Sequence, residues 1–302
     1  MHWSKKQERG TSLSLKITAF CLRYCPTWLI KIIAIIVVSY FYLTSPKEKA
    51  AIATYQQYLG SRLSPNPFLK RGSIFKQFMR FADAIQDRFL VRQGKITYEQ
   101  LTIVDPDHIY QTIRQGTEGL KKGEILICSH LGNVEICRLL STQQNFVLNI
   151  LIHQKHAVKF NQAVYQEQGN INMIQVTELD MPTIIELSER VQRGEWVVIA
   201  GDRTPVLSEK VIELDFLGHR ALFPQGPWIL AGLLKTKVNM LFCIKKQHGY
   251  ELQVSSLTPV IQWNHQNKEA VITEHAQKFI KALEEKCLEA PFDWFNFYSF
   301  WK

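Results

Sequence analysis

Beyond Gly94, short apolar runs alternate with stretches of helical periodicity, and this alternation constrains the fold more than any other feature of the chain. Apolar runs at 99–104, 124–128, 146–151, 172–176, 196–200, 211–216, 238–244 and 250–255 predict strands. Helical patterns lie between most of them, at 107–118, 133–141, 155–168, 181–193 and 225–236. The expected fold class is therefore α/β, with a mixed, largely parallel central sheet flanked by helices. The runs 238–244 and 250–255, joined across Gln247-His248-Gly249, predict an antiparallel hairpin, and a last helix is expected from about Lys268 to Leu288. No repeat or low-complexity linker divides this region, so residues 47–302 are read as one domain following an N-terminal segment, 1–46.

That segment holds Trp28-Leu-Ile-Lys-Ile-Ile-Ala-Ile-Ile-Val-Val-Ser-Tyr-Phe-Tyr-Leu43. Its uncharged part begins at Ile32 and is short for a span, which takes about 20 apolar residues. Lys31 can snorkel and lengthen it. Lys5, Lys6 and Arg9 resemble the basic start of a signal peptide, but no small-x-small site follows, and Pro46 stands where cleavage would fall. The segment is read as a hydrophobic membrane-anchor helix, spanning or lying in one leaflet, with a buried core helix as the alternative. Basic residues at both ends leave its orientation open. Residues 47–92 read as helical, and Phe75, Phe78, Met79, Ala82, Ile85 and Phe89 form one apolar face.

The net charge of +9 favours an anionic partner: nucleic acid, lipid headgroups or an acidic carrier protein. No helix-turn-helix, RNA-recognition or zinc pattern is present, so no nucleic-acid partner is expected. The six cysteines are scattered without C-x-x-C spacing and read as reduced thiols, with no metal site.

Chemistry concentrates in Ile125-Leu-Ile-Cys-Ser-His130-Leu-Gly-Asn-Val-Glu135. A buried strand is expected to end at Cys128, with a helix opening near Asn133. His130 then lies at a carboxyl edge of the sheet, where α/β folds bind ligands. On one helix, His130 and Glu135 would point about 140° apart, so they meet only if Gly132-Asn133 forms a turn. Paired, Glu135 would fix the tautomer and leave the second ring nitrogen to take a proton from an acceptor hydroxyl. Helix N–H groups nearby could hold an oxyanion. The alternative is a strand-end histidine and a carboxylate at a helix N-terminus.

On these residues the whole chain resembles the lipid A biosynthesis (late) acyltransferase family of the lysophospholipid/glycerolipid acyltransferase superfamily. His130 and Glu135 match its H-x-x-x-x-D/E motif. Further blocks are similar to His156-Ala-Val-Lys159-Phe-Asn161, to Gly201-Asp202-Arg203, and to Phe216-Leu-Gly218 with Phe223-Pro224-Gln-Gly226-Pro227. The tail Trp294-Phe-Asn-Phe-Tyr-Ser-Phe-Trp301 looks like the family's aromatic C-terminus. Lys155 and Lys159 stand where lipid A enzymes usually carry arginines, and the Gly-Asp-Arg-Thr-Pro form looks closer to a divergent branch.

The resemblance implies a membrane-bound enzyme of the bacterial inner membrane, with its catalytic domain on the cytoplasmic side. It would transfer an acyl group from an acyl carrier protein or coenzyme A thioester to a lipid or glycolipid hydroxyl, with no bound cofactor. His130 is expected as base and Glu135 as its orienting carboxylate. Gly132, Asn133, Lys155, Lys159, Asn161, Asp202, Arg203, Phe223 and Gly226 are the expected substrate-binding residues. Among them Arg203 would bind a phosphate with Asp202 orienting it, and Phe223 and Gly226 would wall an acyl tunnel. Their plainer alternatives are a local salt bridge, a solvated lysine face and core packing. Two rival functions remain: N-acylation of a lipid amine, and a non-catalytic membrane protein that binds acyl carriers.

Overall fold

The computed structural model describes residues 20–21, 24–111, 122–137, 139–140, 147–152, 170–175, 180–204 and 210–301, without the side chains of Thr27, Arg92 and Glu135. Its first long helix, α1 (Thr27–Thr44), is apolar on nearly every side. Pro46 opens the next helix, α2 (Pro46–Gly60), where its missing N–H costs nothing. The two meet at 93°; no single described helix is long and apolar enough to cross a membrane, although the bent pair together has the length and composition.

Residues 47–92 are not one helix. Pro65 and Pro67 interrupt the pattern, the Asn66 side chain accepts from the Phe68 N–H at 2.9 Å, and Gly72 at φ 86° closes the turn. Helix α3 then runs from Ser73 to Arg92. Its apolar face packs on α1, with Val38, Ile52 and Phe78 buried together.

The strands are β1 (Leu101–Val104), β2 (Ile125–Gly132), β3 (Leu148–Ile152), β4 (Ile171–Gln175), β5 (Trp196–Ala200), β6 (Val211–Phe216), β7 (His219–Pro224), β8 (Val238–Lys246) and β9 (Gly249–Thr258). Seven form one sheet in the order β1-β9-β8-β2-β5-β3-β4. Every pairing in it is parallel except the β8–β9 hairpin, so the sheet is mixed and largely parallel, as the sequence implies. Helices α4 (Met181–Gln192), α5 (Gly226–Leu234) and α6 (Lys268–Glu289) complete the domain.

Alternation along β2 explains why the sheet is covered on both faces. Ile125 and Ile127 join one core with Leu187, Trp228 and Phe279, while Leu126 and Cys128 join another with Ile136 and Tyr250. Strand β7 has no counterpart in the sequence reading. It pairs with β6 in a separate two-stranded sheet, through a turn in which Leu217 (φ 55°) and Gly218 (φ 84°) both take positive φ.

Candidate active site

Strands β2 and β5 are parallel neighbours, with Cys128 opposite Ala200. His130 lies two residues beyond the first and Asp202 two beyond the second, so equal offsets bring them together at the carboxyl edge. The Gly201 N–H donates to the Cys128 carbonyl at 2.8 Å and keeps the two chains together there. A Cβ on Gly201 would sit 2.8 Å from Ile127 and 2.9 Å from the Phe279 ring, so a larger residue would push α6 off the sheet.

Strand β2 continues through His130 to Gly132, past the expected end at Cys128, and is followed by a short 3-10 helix, Val134–Cys137, in place of a helix opening at Asn133. The cause lies in two backbone bonds: the Gly132 N–H donates to the Asp293 carbonyl at 2.8 Å, and the Asn133 N–H to the Cys243 carbonyl at 2.9 Å. Gly132 stands at φ 70°, and a Cβ there would come within 1.9 Å of the Cys243 oxygen, so only glycine fits.

The histidine meets a carboxylate, and that carboxylate is Asp202. His130 Nδ1 lies 2.8 Å from Asp202 Oδ1, and the His130 backbone N–H donates to Oδ2 at 2.8 Å. Trp294 Nε1 and Asn296 Nδ2 also donate to Oδ2, at 3.0 and 2.9 Å. Asp202 is fully buried, whereas the His130 side chain keeps 32% of its surface exposed. Glu135, the partner expected from sequence, has its backbone on the 3-10 helix, and its side chain lies outside the described residues.

Burial and the neighbouring Arg203 charge hold the His130 ring below the ordinary histidine value of 6.5, with Arg88 adding to the effect; Asp202 pulls the other way. Burial works to raise Asp202, but the charge and hydrogen bond of His130, together with Arg203, leave its carboxyl below the usual range. An ionised carboxylate only accepts, so Nδ1 carries the proton and Nε2 is the bare nitrogen. The arrangement is a neutral, oriented imidazole at an open sheet edge, able to take a proton from a hydroxyl.

The other expected residues divide. Arg203 gives Nε to Asn296 Oδ1 at 2.7 Å and Nη2 to the Phe295 carbonyl at 3.0 Å. Asp202 serves His130, where the sequence reading had it orient Arg203. Asn133 is buried and donates from Nδ2 to the Ala84 carbonyl at 3.0 Å, tying the turn to α3. Phe223 is fully buried against Phe216 and Phe300. Gly226 opens α5 ahead of Pro227, away from His130 in the chain and with open space where a side chain would go. Lys155, Lys159 and Asn161 lie outside the described residues.

Sequence reasoning missed Trp294 and Asn296 as parts of this centre. Their signal was visible, since a Trp and an Asn two apart in an apolar tail supply two neutral donors. Nothing in the chain tells which carboxylate receives them.

A family model described as bacterial lipid A biosynthesis acyltransferase matches residues 84–302, more than half of the chain and including every site residue above. Comparison with curated proteins gives no match. Among solved structures, the 1-acyl-sn-glycerophosphate (LPA) acyltransferase PlsC from Thermotoga maritima is similar at 13% identity, covering 85% of this chain and 97% of that one, with a TM-score of 0.37.

Proposed function

From its membership of the bacterial lipid A biosynthesis acyltransferase family, to which the chain belongs, we propose that this acyltransferase moves an acyl group from a carrier thioester to a lipid or glycolipid hydroxyl, with His130 as general base. The observation that carries this reading is the His130 ring held by Asp202, with Nε2 left for the acceptor. As the hydroxyl oxygen attacks the thioester carbonyl, its proton passes to Nε2, and Asp202 stabilises the imidazolium. Collapse of the tetrahedral intermediate expels the thiolate, which takes the proton back from His130. The charges of Arg203 and Arg88 favour an anionic group beside the reacting centre. Glu135 completes the H-x-x-x-x-E motif one short turn further on, and its substitution belongs in the same test.

An acyl carrier protein suits the donor role because such carriers are acidic and this chain carries +9. Membrane association is supported by α1, where Trp28, Ile36, Tyr40 and Leu43 are each more than half exposed. On that reading the protein works at the bacterial inner membrane from the cytoplasmic side.

The test is transfer by purified full-length protein, using radiolabelled acyl-carrier thioester and total bacterial lipid. Wild type should label one lipid class, and His130→Ala should lose about 10²–10⁴-fold or more. Undiminished transfer by a folded His130→Ala protein would remove the base from the mechanism. Glu135→Ala, run alongside, measures what the motif carboxylate adds.

A further inference from the structure

The C-terminal tail crosses directly over the end of β2. Trp294 pairs antiparallel with Leu131, and the Phe295 N–H donates to the His130 carbonyl at 2.9 Å. This backbone pairing delivers two side chains to the carboxylate that holds the histidine. We propose that Trp294 and Asn296 are positioning residues for acyl transfer, fixing the Asp202 carboxylate and through it the His130 ring. The inference rests on His130 being the base.

The two oxygens of Asp202 are used unequally. Oδ2 receives three donors, from the His130 backbone, Trp294 Nε1 and Asn296 Nδ2, whereas Oδ1 receives the His130 ring. Rotation of the carboxylate would break three bonds at Oδ2, so Oδ1 stays aimed at Nδ1. The Asn296 amide cannot be turned round. Its Oδ1 accepts from Arg203 Nε, a guanidinium has no acceptor to offer, and Nδ2 must therefore face Asp202. Both residues are nearly fully buried, at 1% and 3% exposed. Trp294 is further wedged between Tyr55, Phe216 and Phe300.

Both donors are neutral, and that decides what they do. A cation in their place would neutralise Asp202 and weaken its hold on the imidazolium. Neutral donors orient the carboxylate and disperse part of its charge without cancelling it. Removing one leaves more negative charge directed at His130, so the ring should bind its proton more tightly. The charged groups that bear on this pair are Arg88 from α3 and Arg203 beside Asp202, while burial and the Asp202 charge keep Cys287 of α6 and Tyr298 of the tail neutral.

Trp301 supplies the control. Its Nε1 donates to the Phe216 carbonyl at 3.1 Å and its ring stacks on Phe216, in the same tail, with no hydrogen bond to Asp202. The experiment compares Trp294→Phe, Asn296→Asp and Trp301→Phe in the full-length protein, measuring kcat, KM and the acidic limb of kcat/KM, with His130→Ala alongside. A Tm measured on each variant separates a loss of positioning from a loss that is only misfolding. Trp294→Phe should lower kcat about tenfold with KM unchanged and move the acidic limb up by about half a pH unit. Asn296→Asp, which sets a second negative charge against Asp202, should move it up by about one unit. Trp301→Phe should lower the Tm and leave the limb in place. If His130→Ala is inactive while both tail variants keep the wild-type kcat and limb, the positioning role is overturned and the base assignment stands. If His130→Ala is active, the base assignment itself fails.

Discussion

Two buried carboxylates stand at opposite ends of the same short tail contact, and they are satisfied in opposite ways. Asp293 is held by a cation: Arg80 of α3 donates Nε to Oδ1 at 2.6 Å and Nη2 to Oδ2 at 2.5 Å, a bidentate pair that also raises the Arg80 pKa. Asp87 nearby is held likewise, by Lys245 at 2.6 Å and by the Tyr250 hydroxyl. Among the described residues, Asp202 has only neutral donors besides the histidine. A carboxylate closed by a guanidinium has its charge committed to holding two elements together. One closed by neutral donors keeps its charge for a proton-carrying neighbour. Burial alone therefore does not mark the functional acid, but the nature of its donors does.

The largest effect should come from exchanging the roles. Asp202→Asn removes the charge and, because the three donors at the Oδ2 position hold the amide oxygen there, turns an NH2 towards Nδ1, so kcat should fall by about 10²–10⁴-fold in a folded protein. Asp293→Asn, measured in the same assay, should cost far less activity, and near-equal losses would break the comparison. Next comes stability: Arg80→Ala leaves Asp293 buried without its cation and should cost about 2–4 kcal/mol in chemical denaturation, with the acidic limb of activity unmoved. A smaller effect concerns pH in the wild type. Because the His130 pKa is lowered from 6.5, the ring stays neutral in the fold down to a lower pH than in the unfolded chain, so kcat/KM should hold through neutrality and fall only below about pH 6.5. The same shift makes folding stability decline as pH drops below 6.5 towards the folded value, because the unfolded chain takes up the proton first. Smallest of all is Arg220→Ala, which removes exposed pairs with Glu213 and Asp215 and should change stability by less than about 1 kcal/mol.

Much of the fold was legible because apolar runs of strand length alternate with helical patterns, and the β8–β9 hairpin followed from its Gly249 turn. Strand β7 escaped because His219-Arg220 opens it with two exposed polar residues and Pro224 ends it, so the apolar signal is only Ala221 to Phe223. The break between α2 and α3 was written in Pro65 and Pro67, yet the strong periodicity from Phe75 onward masked it. For the site, residue types and strand ends located His130 and Asp202 separately. Joining them needed the sheet order: β2 and β5 are far apart in sequence, and only their adjacency puts equal offsets face to face. Motif spacing pointed to Glu135, whose side chain lies outside the described residues. The tail was recognisable as a run of aromatic residues, but its backbone pairing with Leu131 is a long-range contact that no periodicity carries.

The most direct measurement is nitrogen-15 NMR of the ring of His130, assigned by loss of its signals in His130→Gln, in wild type and in Asp202→Asn at neutral pH. Wild type should show a neutral ring protonated at Nδ1 with Nε2 bare, and Asp202→Asn should lose that preference. A ring protonated at Nε2 in the wild type, or a tautomer unchanged by Asp202→Asn, would contradict that assignment.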